Sequence, residues 1–348
     1  MRIAVIGAGS IGIIIGGLIA RGGGEIELVD SSADNVKALN KNGAVIKGTI
    51  EACIPVKAVT PEEMSGIYNL VFLTTKQTSN KEVLNHLLQF IDENSTVCTL
   101  QNGIPEEFVS NIIGKKRTVG GAVGFGATWI GPGISKLTSS QKVMEEYAFD
   151  IGETDGIITP RIIKVQKILE RVGHTAVIEN MMGVRWSKLL MNATFSGMSA
   201  ALGCTFGEVL NHDEGIKYVS YIADETIKVS KACGVRMALM QGKDFTELEL
   251  KSKSDFMDKL VFYHEVWDQH NLLKASMLQD LEKQRKTEIE YINGYVSKKG
   301  RETGIKTPYN DMVVAIVKTE EASKSVNAEM AALAQFRVLE EALEAEKL

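Results

Sequence analysis

The sequence has no cysteine pair at two-residue spacing, no histidines at metal-ligand spacing, and no basic stripe with interleaved aromatics. Cys53, Cys98, Cys204 and Cys233 are scattered, which excludes the common zinc and redox motifs and leaves buried, reduced thiols of a cytosolic protein as the expectation. His264 and His270 stand six residues apart, on opposite faces of a helix, so no metal is expected. With 24% charged residues and a net charge of -5, nucleic acid is not expected as a partner. Residues 3–20, IAVIGAGSIGIIIGGLIA, are uncharged, but five glycines interrupt them and their length is at the short edge for a bilayer. Neither a signal peptide nor a membrane span is expected there.

A chain of 348 residues with 44% apolar content exceeds what one core holds, since single cores stop growing at roughly 250–300 residues. Up to residue 178, short β-branched runs alternate with helical patterns, the signature of an α/β fold with a parallel sheet wrapped by helices. Strands are predicted at 2–6, 25–30, 70–75, 96–101 and 117–125, and helices at 10–21, 32–42, 77–92 and 104–113. GAVIKG and CIPVKAV read as short strands decorating the sheet, and residues 126–140 as loop followed by a strand. After His174 long amphipathic helical patterns take over, which predicts domains 1–178 and 179–348. The tail from Thr319, ending VLEEALEAEKL, reads as a solvated helix on the surface or at a dimer contact.

GAGSIG places Gly7, Gly9 and Gly12 in the spacing G-x-G-x-x-G, with Ser10 and Ile11 between the last two, directly after a strand and at the opening of a helix. In a Rossmann domain the first glycine permits the tight turn, the second lets backbone approach a pyrophosphate, and the third lets helix pack on strand. The helix N-terminus adds free N–H groups and a positive dipole end. Asp30 ends the second strand, where a carboxylate accepts from ribose hydroxyls and repels a 2′-phosphate; Ser31 and Ser32 add no cation, and the next basic residue is Lys37. NAD(H) is therefore expected over NADP(H). Lys76 and Asn102 end two later strands, where ligands bind in open α/β sheets, and are expected on the nicotinamide side.

In VRWSKLLMNATFSGMSAALG, a nearly apolar helical stretch, Lys188, Asn192 and Ser196 recur four residues apart and are expected to line a cleft as one stripe. A ketone accepting hydride develops negative charge on oxygen, and a lysine ammonium can both stabilise that charge and deliver the proton. Such a lysine needs partial burial and a neighbouring acceptor, which calls for a carboxylate elsewhere. SMLQDLEKQRKTEIEYINGY offers three acids. Read as one helix, it puts Ser276, Asp280, Gln284 and Glu288 on one face, so Glu288 is the candidate and Glu282 and Glu290 are surface charges.

Through GAGSIG, TTKQ, QNG, WSKLLMN and SMLQDLEKQRKTEIEYING the chain resembles, over most of its length, the ketopantoate reductases (2-dehydropantoate 2-reductases) and related NAD-dependent D-2-hydroxyacid dehydrogenases. The resemblance implies an N-terminal Rossmann dinucleotide-binding domain followed by an all-helical substrate and dimerisation domain, a 6-phosphogluconate-dehydrogenase-like arrangement. It implies Lys188 as general acid, Asn192, Ser196, Ser276 and Asn102 on the substrate, and Glu288 in the active cleft. Lys76 and Asn102 line the cofactor cleft in this reading, and Gly126 makes a further backbone contact. Three features depart from the family: Asp30-Ser31-Ser32 stand where NADPH-preferring members carry a basic residue, Ser196 replaces a second asparagine, and the segment between Gly234 and Ser276 is longer than in compact members. The expected protein is a cytoplasmic homodimer that reduces a 2-oxo acid, 2-dehydropantoate or a branched or aromatic one, with NADH, and with NADPH possible by family resemblance. A non-catalytic NAD(H) sensor is the alternative of another class; the Lys188, Asn192 and Glu288 set speaks against it.

Overall fold

The short apolar runs of the first half become strands: Ile3–Ile6 (β1), Ile26–Val29 (β2), Ala44–Gly48 (β3), Ala52–Ile54 (β4), Lys57–Val59 (β5), Leu70–Leu73 (β6), Thr96–Thr99 (β7), Thr118–Val123 (β8), Ala127–Gly131 (β9), Ile134–Leu137 (β10), Phe149–Gly152 (β11) and Thr175–Val177 (β12). The helices beside them are Ser10–Arg21 (α1), Ala33–Asn42 (α2), Asn80–Leu87 (α3), Glu106–Ile113 (α4), Gln141–Glu146 (α5) and Pro160–Leu169 (α6). The computed structural model describes residues 1–240, 242–326 and 329–346. Two compact units, Met1–Met181 and Met182–Leu348, make up the chain.

Eight strands of the first unit form a sheet in the order β12-β11-β8-β7-β6-β1-β2-β5. From β5 to β8 all neighbours are parallel; β11 joins β8 antiparallel and carries β12 parallel to itself. The interior strands β1 and β6 are apolar at every position because both faces are covered. Ile3, Val5, Leu70 and Phe72 share a core with Ile14, Ile15, Leu18 and Ile19 of α1. Ala4, Ile6, Val71 and Leu73 belong to a separate core with Leu84 and Leu87 of α3 and Val109 and Ile113 of α4.

The remaining strands form a second sheet, β4-β3-β10-β9, rather than decorating the first, and only β5 of the CIPVKAV segment joins the main sheet. Residues 126–140 hold a β9–β10 hairpin instead of a loop and one strand. This second sheet packs on α1, so α1 lies between two sheets and is buried from Gly12 to Ile19. That placement is why residues 3–20 are so uniformly apolar. Among the described residues no helix is long and apolar enough to cross a membrane.

The second unit is helical: Met181–Met191 (α7, starting at the point of division), Gly197–Leu202 (α8), Phe206–Leu210 (α9), Asp213–Ala232 (α10), Leu260–Trp267 (α11), Ser276–Glu282 (α12), Asn293–Thr303 (α13), Pro308–Ser323 (α14) and Glu329–Ala345 (α15). Its interior holds Trp186, Phe195, Tyr218, Phe245, Tyr263 and Trp267. The C-terminal helix α15 corrects the solvated-tail reading. Ala332, Leu333 and Phe336 are fully buried, Phe336 stacks on Tyr218 with ring centroids 4.8 Å apart, and Arg337 and Glu340 pair with Glu214 and Lys217.

Candidate active site

In the first unit the glycine turn has the geometry that its spacing predicts. Gly7 takes φ +99°, and a Cβ there would lie 2.7 Å from Thr75 N; at Gly12 it would lie 2.0 Å from Gly7 O. Neither position admits a side chain. Gly9 differs, because nothing in the protein lies within 4 Å of its absent Cβ, which leaves the space a pyrophosphate needs. The first intrahelical bond of α1 runs from Ile13 N to Gly9 O at 3.0 Å, which leaves the N–H groups of Ser10, Ile11 and Gly12 outside the helical ladder. No acid occupies that first turn. These residues fit a dinucleotide.

Hydrogen bonds hold the turn from below and from the side. Thr74 Oγ1 donates to Gly7 O at 2.8 Å, and Ser135 Oγ of β10 donates to Ser10 O at 2.7 Å. Asn35, buried in α2, donates from Nδ2 to Ala8 O at 2.9 Å and accepts the Gly133 N–H on Oδ1 at 2.7 Å. Asn35 thus ties the turn to the second sheet. Sequence reasoning passed over it, since an asparagine in the first turn of a helix carries no signal of a partner nearly one hundred residues away.

Asp30 follows β2, half-buried, and one carboxylate oxygen accepts the Ser32 N–H at 2.9 Å. Lys76 follows β6 and Asn102 follows β7, both half-buried, so they stand beyond the carboxyl ends of adjacent strands together with the glycine turn. Gln101, also unforeseen, braces this edge: its Nε2 donates to Thr75 O and to Asn80 Oδ1, each at 2.7 Å. Gln77 Nε2 donates to Asn102 O at 2.5 Å. Gly126 lies past β8, exposed, and its backbone groups are engaged inside the unit: its N–H donates to Ser139 Oγ and its carbonyl accepts from Thr138 N.

In the second unit Lys188 of α7 and Asn192, just past its end, lie one turn apart and half-buried, whereas the other residues from Gly183 to Leu190 are buried. The regular phase expected to continue to Ser196 stops there. Asn192–Ser196 form a π-turn in which the Gly197 N–H reaches back five residues to Asn192 O. Four residues overshoot a 3.6-residue α turn but fall short of this wider one, so Ser196 returns close to the line of Asn192. Ser276 is the exposed first residue of α12, and α12 packs against α8 and the π-turn.

The single helix expected from Ser276 to Glu290 is absent. The α12 helix ends at Glu282, Gln284 takes φ 53°, and Ile289–Tyr291 form a short 3-10 turn before α13. The helix closes on the left-handed turn at Gln284, where the Arg285 N–H donates back to Asp280 O at 2.8 Å, and Thr287 beyond it is held elsewhere: its N–H and its hydroxyl both donate to Glu321 Oε1 at 2.6 Å. Burial now separates the acids. Glu282 is exposed and pairs with Lys274 at 2.6 Å, Glu290 is exposed and pairs with Lys318, and Glu288 is half-buried. The nearby Tyr291 hydroxyl is pushed up by burial and by the Glu288 charge.

Among the described residues no three His, Cys, Asp or Glu side chains are arranged to hold a metal ion. None of the four cysteines forms a disulfide; Cys98 and Cys204 are buried, burial pushing the Cys204 thiol up to about 12, whereas Cys53 is exposed and Cys233 half-buried, against the expectation of burial for all.

Two family models match the chain: ketopantoate reductase PanE/ApbA over residues 3–147 and the ketopantoate reductase PanE/ApbA C-terminal model over residues 180–321. A 2-dehydropantoate 2-reductase of Pyrococcus horikoshii is 29% identical over 333 residues, covering 92% of this chain and 98% of that protein. The crystal structure of 2-dehydropantoate 2-reductase from Geobacter metallireducens is 26% identical with a TM-score of 0.77, covering 92% of this chain and 99% of that one. A D-mandelate dehydrogenase solved in complex with NADH is 25% identical with a TM-score of 0.76, covering 94% and 100%. With one family's two models matched in order along most of its length, the chain belongs to the ketopantoate reductase family.

Proposed function

We propose that this oxidoreductase reduces a 2-oxo acid to the D-2-hydroxy acid, with Lys188 as general acid. The observation that carries the reading is that Lys188 and Asn192, one turn apart, are half-buried beside a run of buried residues from Gly183 to Leu190, in a chain that also carries the glycine turn. A reduced nicotinamide dinucleotide supplies the hydride when bound. Ser10, Ile11 and Gly12 would hold its pyrophosphate through their backbone N–H groups and the dipole of α1, with Gly7 and Gly9 giving the turn and the space that its approach needs. Asp30 accepts from the ribose hydroxyls with the oxygen that Ser32 leaves open, which favours NADH; a 2′-phosphate would meet a carboxylate. Lys76 and Asn102 line the nicotinamide side, and Gly126 is the further backbone position that the family resemblance adds.

At the substrate, the Lys188 ammonium stabilises the charge that develops on the carbonyl oxygen and delivers the proton to it. Asn192, Ser196, Ser276 and Asn102 orient the 2-oxo acid, and Glu288 supplies the acceptor that steadies the ammonium. Domain 1–178 thus serves the dinucleotide and domain 179–348 the substrate and a homodimer contact, in the cytoplasm. 2-Dehydropantoate is the first substrate candidate, from the family. A branched or aromatic 2-oxo acid is the second, favoured by Asp30 and Ser196 and by the likeness to a D-mandelate dehydrogenase crystallised with NADH.

A panel of 2-oxo acids with NADH and with NADPH tests both readings. NADH oxidation should be the faster, and equal or faster use of NADPH removes the Asp30 argument. Lys188→Ala should lower kcat by about a hundredfold or more, the contribution of a general acid. Near-normal turnover of that variant would overturn the assignment of Lys188, whereas a parent protein that binds the dinucleotide but turns over no acid of the panel would favour a sensor that binds without catalysis.

A further inference from the structure

A chain of buried amides in the second unit ends on the π-turn. Asn293 Nδ2, at the start of α13, donates to the Ala193 carbonyl inside the turn at 2.9 Å and to Asn310 Oδ1 at 3.0 Å. Asn310 Nδ2 donates in turn to Glu225 Oε2 at 2.8 Å, and the N–H groups of Tyr309 and Asn310 donate to the two Glu225 oxygens at 2.9 Å each. Asn293 and Asn310 are 0% exposed and Glu225 6%. The Ala193 carbonyl can only accept, which fixes Asn293 Nδ2 on it, and Asn310 then turns its oxygen towards Asn293 and its Nδ2 towards Glu225. Asn293 comes this close because position 197 has no side chain: a Cβ on Gly197 would lie 2.7 Å from Asn293 Oδ1.

π-turns are rare, persist where surrounding contacts hold them, and gather at functional sites. This one begins on Asn192 and ends on Ser196, one turn after Lys188. We infer that Asn293 is a positioning residue for the reduction: its bond to Ala193 holds the π-turn and so sets Asn192 and Ser196 against Lys188. The inference rests on the catalytic reading of Lys188 and Asn192 given above. A network that served stability alone would have no reason to end on this turn, and the two roles separate by experiment.

Asn293→Asp keeps the side chain's size but turns oxygen atoms towards two acceptors, and Gly197→Ala presses on the same contact from the turn. Asn310→Ala breaks the chain at Glu225 while leaving Ala193 its donor. Three quantities are measured on the full protein: kcat and KM for the oxo acid, NADH affinity by fluorescence, and hydrogen exchange over residues 192–197. Asn293→Asp and Gly197→Ala should each lower kcat/KM for the oxo acid by about tenfold or more, as small displacements of substrate-holding groups do. Both should speed exchange in the turn and leave NADH affinity within about twofold. Asn310→Ala should lower the melting temperature with kcat/KM within about threefold. The inference fails if folded Asn293→Asp and Gly197→Ala keep kcat/KM and exchange near those of the parent, or if all three variants lose activity in step with melting temperature. If Asn293→Asp does not fold, Gly197→Ala decides alone. Activity retained by Lys188→Ala would remove the catalytic reading instead, and exchange in the turn would still show whether Asn293 holds it.

Discussion

Glu282, Glu288 and Glu290 sit in one short charged stretch, and their surroundings give them different work. The ion pairs of Glu282 with Lys274 and of Glu290 with Lys318 are exposed and contribute little, about 0–1 kcal/mol each. Glu290→Gln should therefore leave steady-state turnover within about twofold. Glu288→Gln, at the half-buried position, should lower kcat by about tenfold or more if the carboxylate steadies Lys188. The opposite ranking in the same assay would count against the proposed site. The helical phase that singled out Glu288 in the sequence does not exist, and it is burial that now sets Glu288 apart from the other two. Thr287 is tied to Glu321, and no local spacing announces a contact with a residue on another helix.

At the scale of elements, the glycine turn and α1 were legible because their constraints are local: Gly7 needs a positive φ and Gly12 has a carbonyl where a Cβ would stand. The π-turn was not, since its sequence, NATFS, is compatible with plain α-helix and its support comes from Asn293. The C-terminal helix was misread for a related reason. Its apolar face is narrow, and alanine and glutamate dominate its composition, yet that face closes over the ring of Tyr218. Phe336→Ala should destabilise the protein by about 3–5 kcal/mol, the range for removing a buried aromatic ring, as read from urea unfolding followed by near-UV circular dichroism. A loss below about 1 kcal/mol would show that α15 does not depend on this contact.

For the whole molecule, the buried carboxylate of Glu225 makes stability depend on pH. Burial pushes it up to about 8 from an ordinary 4.5, against the N–H donors of Tyr309 and Asn310, which pull it down. A folded value above the unfolded one means that the folded protein keeps a proton which the unfolded chain has released. The contribution is complete below about pH 4.5 and is lost as pH rises through about 8, by an amount on the order of a few kcal/mol. Glu27 and Glu214 work in the other direction. Burial raises Glu27, but hydrogen bonds from Lys57, Tyr68 and Arg2 outweigh it, and Arg337 lowers Glu214; both contributions are lost as pH falls below the ordinary carboxylate range. Chemical denaturation between pH 5 and 8 should show stability declining with pH, and Glu225→Gln should flatten that slope; an unchanged slope would place its cause elsewhere.

The sequence by itself determined the parallel sheet, the dinucleotide turn, the change to helices near His174, and the residue types at the candidate site. These follow from forces acting within a few residues: steric limits on the backbone, the period of the apolar face, and the free N–H groups at a helix start. Tertiary structure alone decided that β3 and β4 join a second sheet, that Asn35 and Asn293 brace the two turns, that Ser196 is reached through a π-turn, and that the tail is packed. Each of these depends on which distant group satisfies a buried polar atom or covers an apolar face, and that partner is chosen only when the chain has folded.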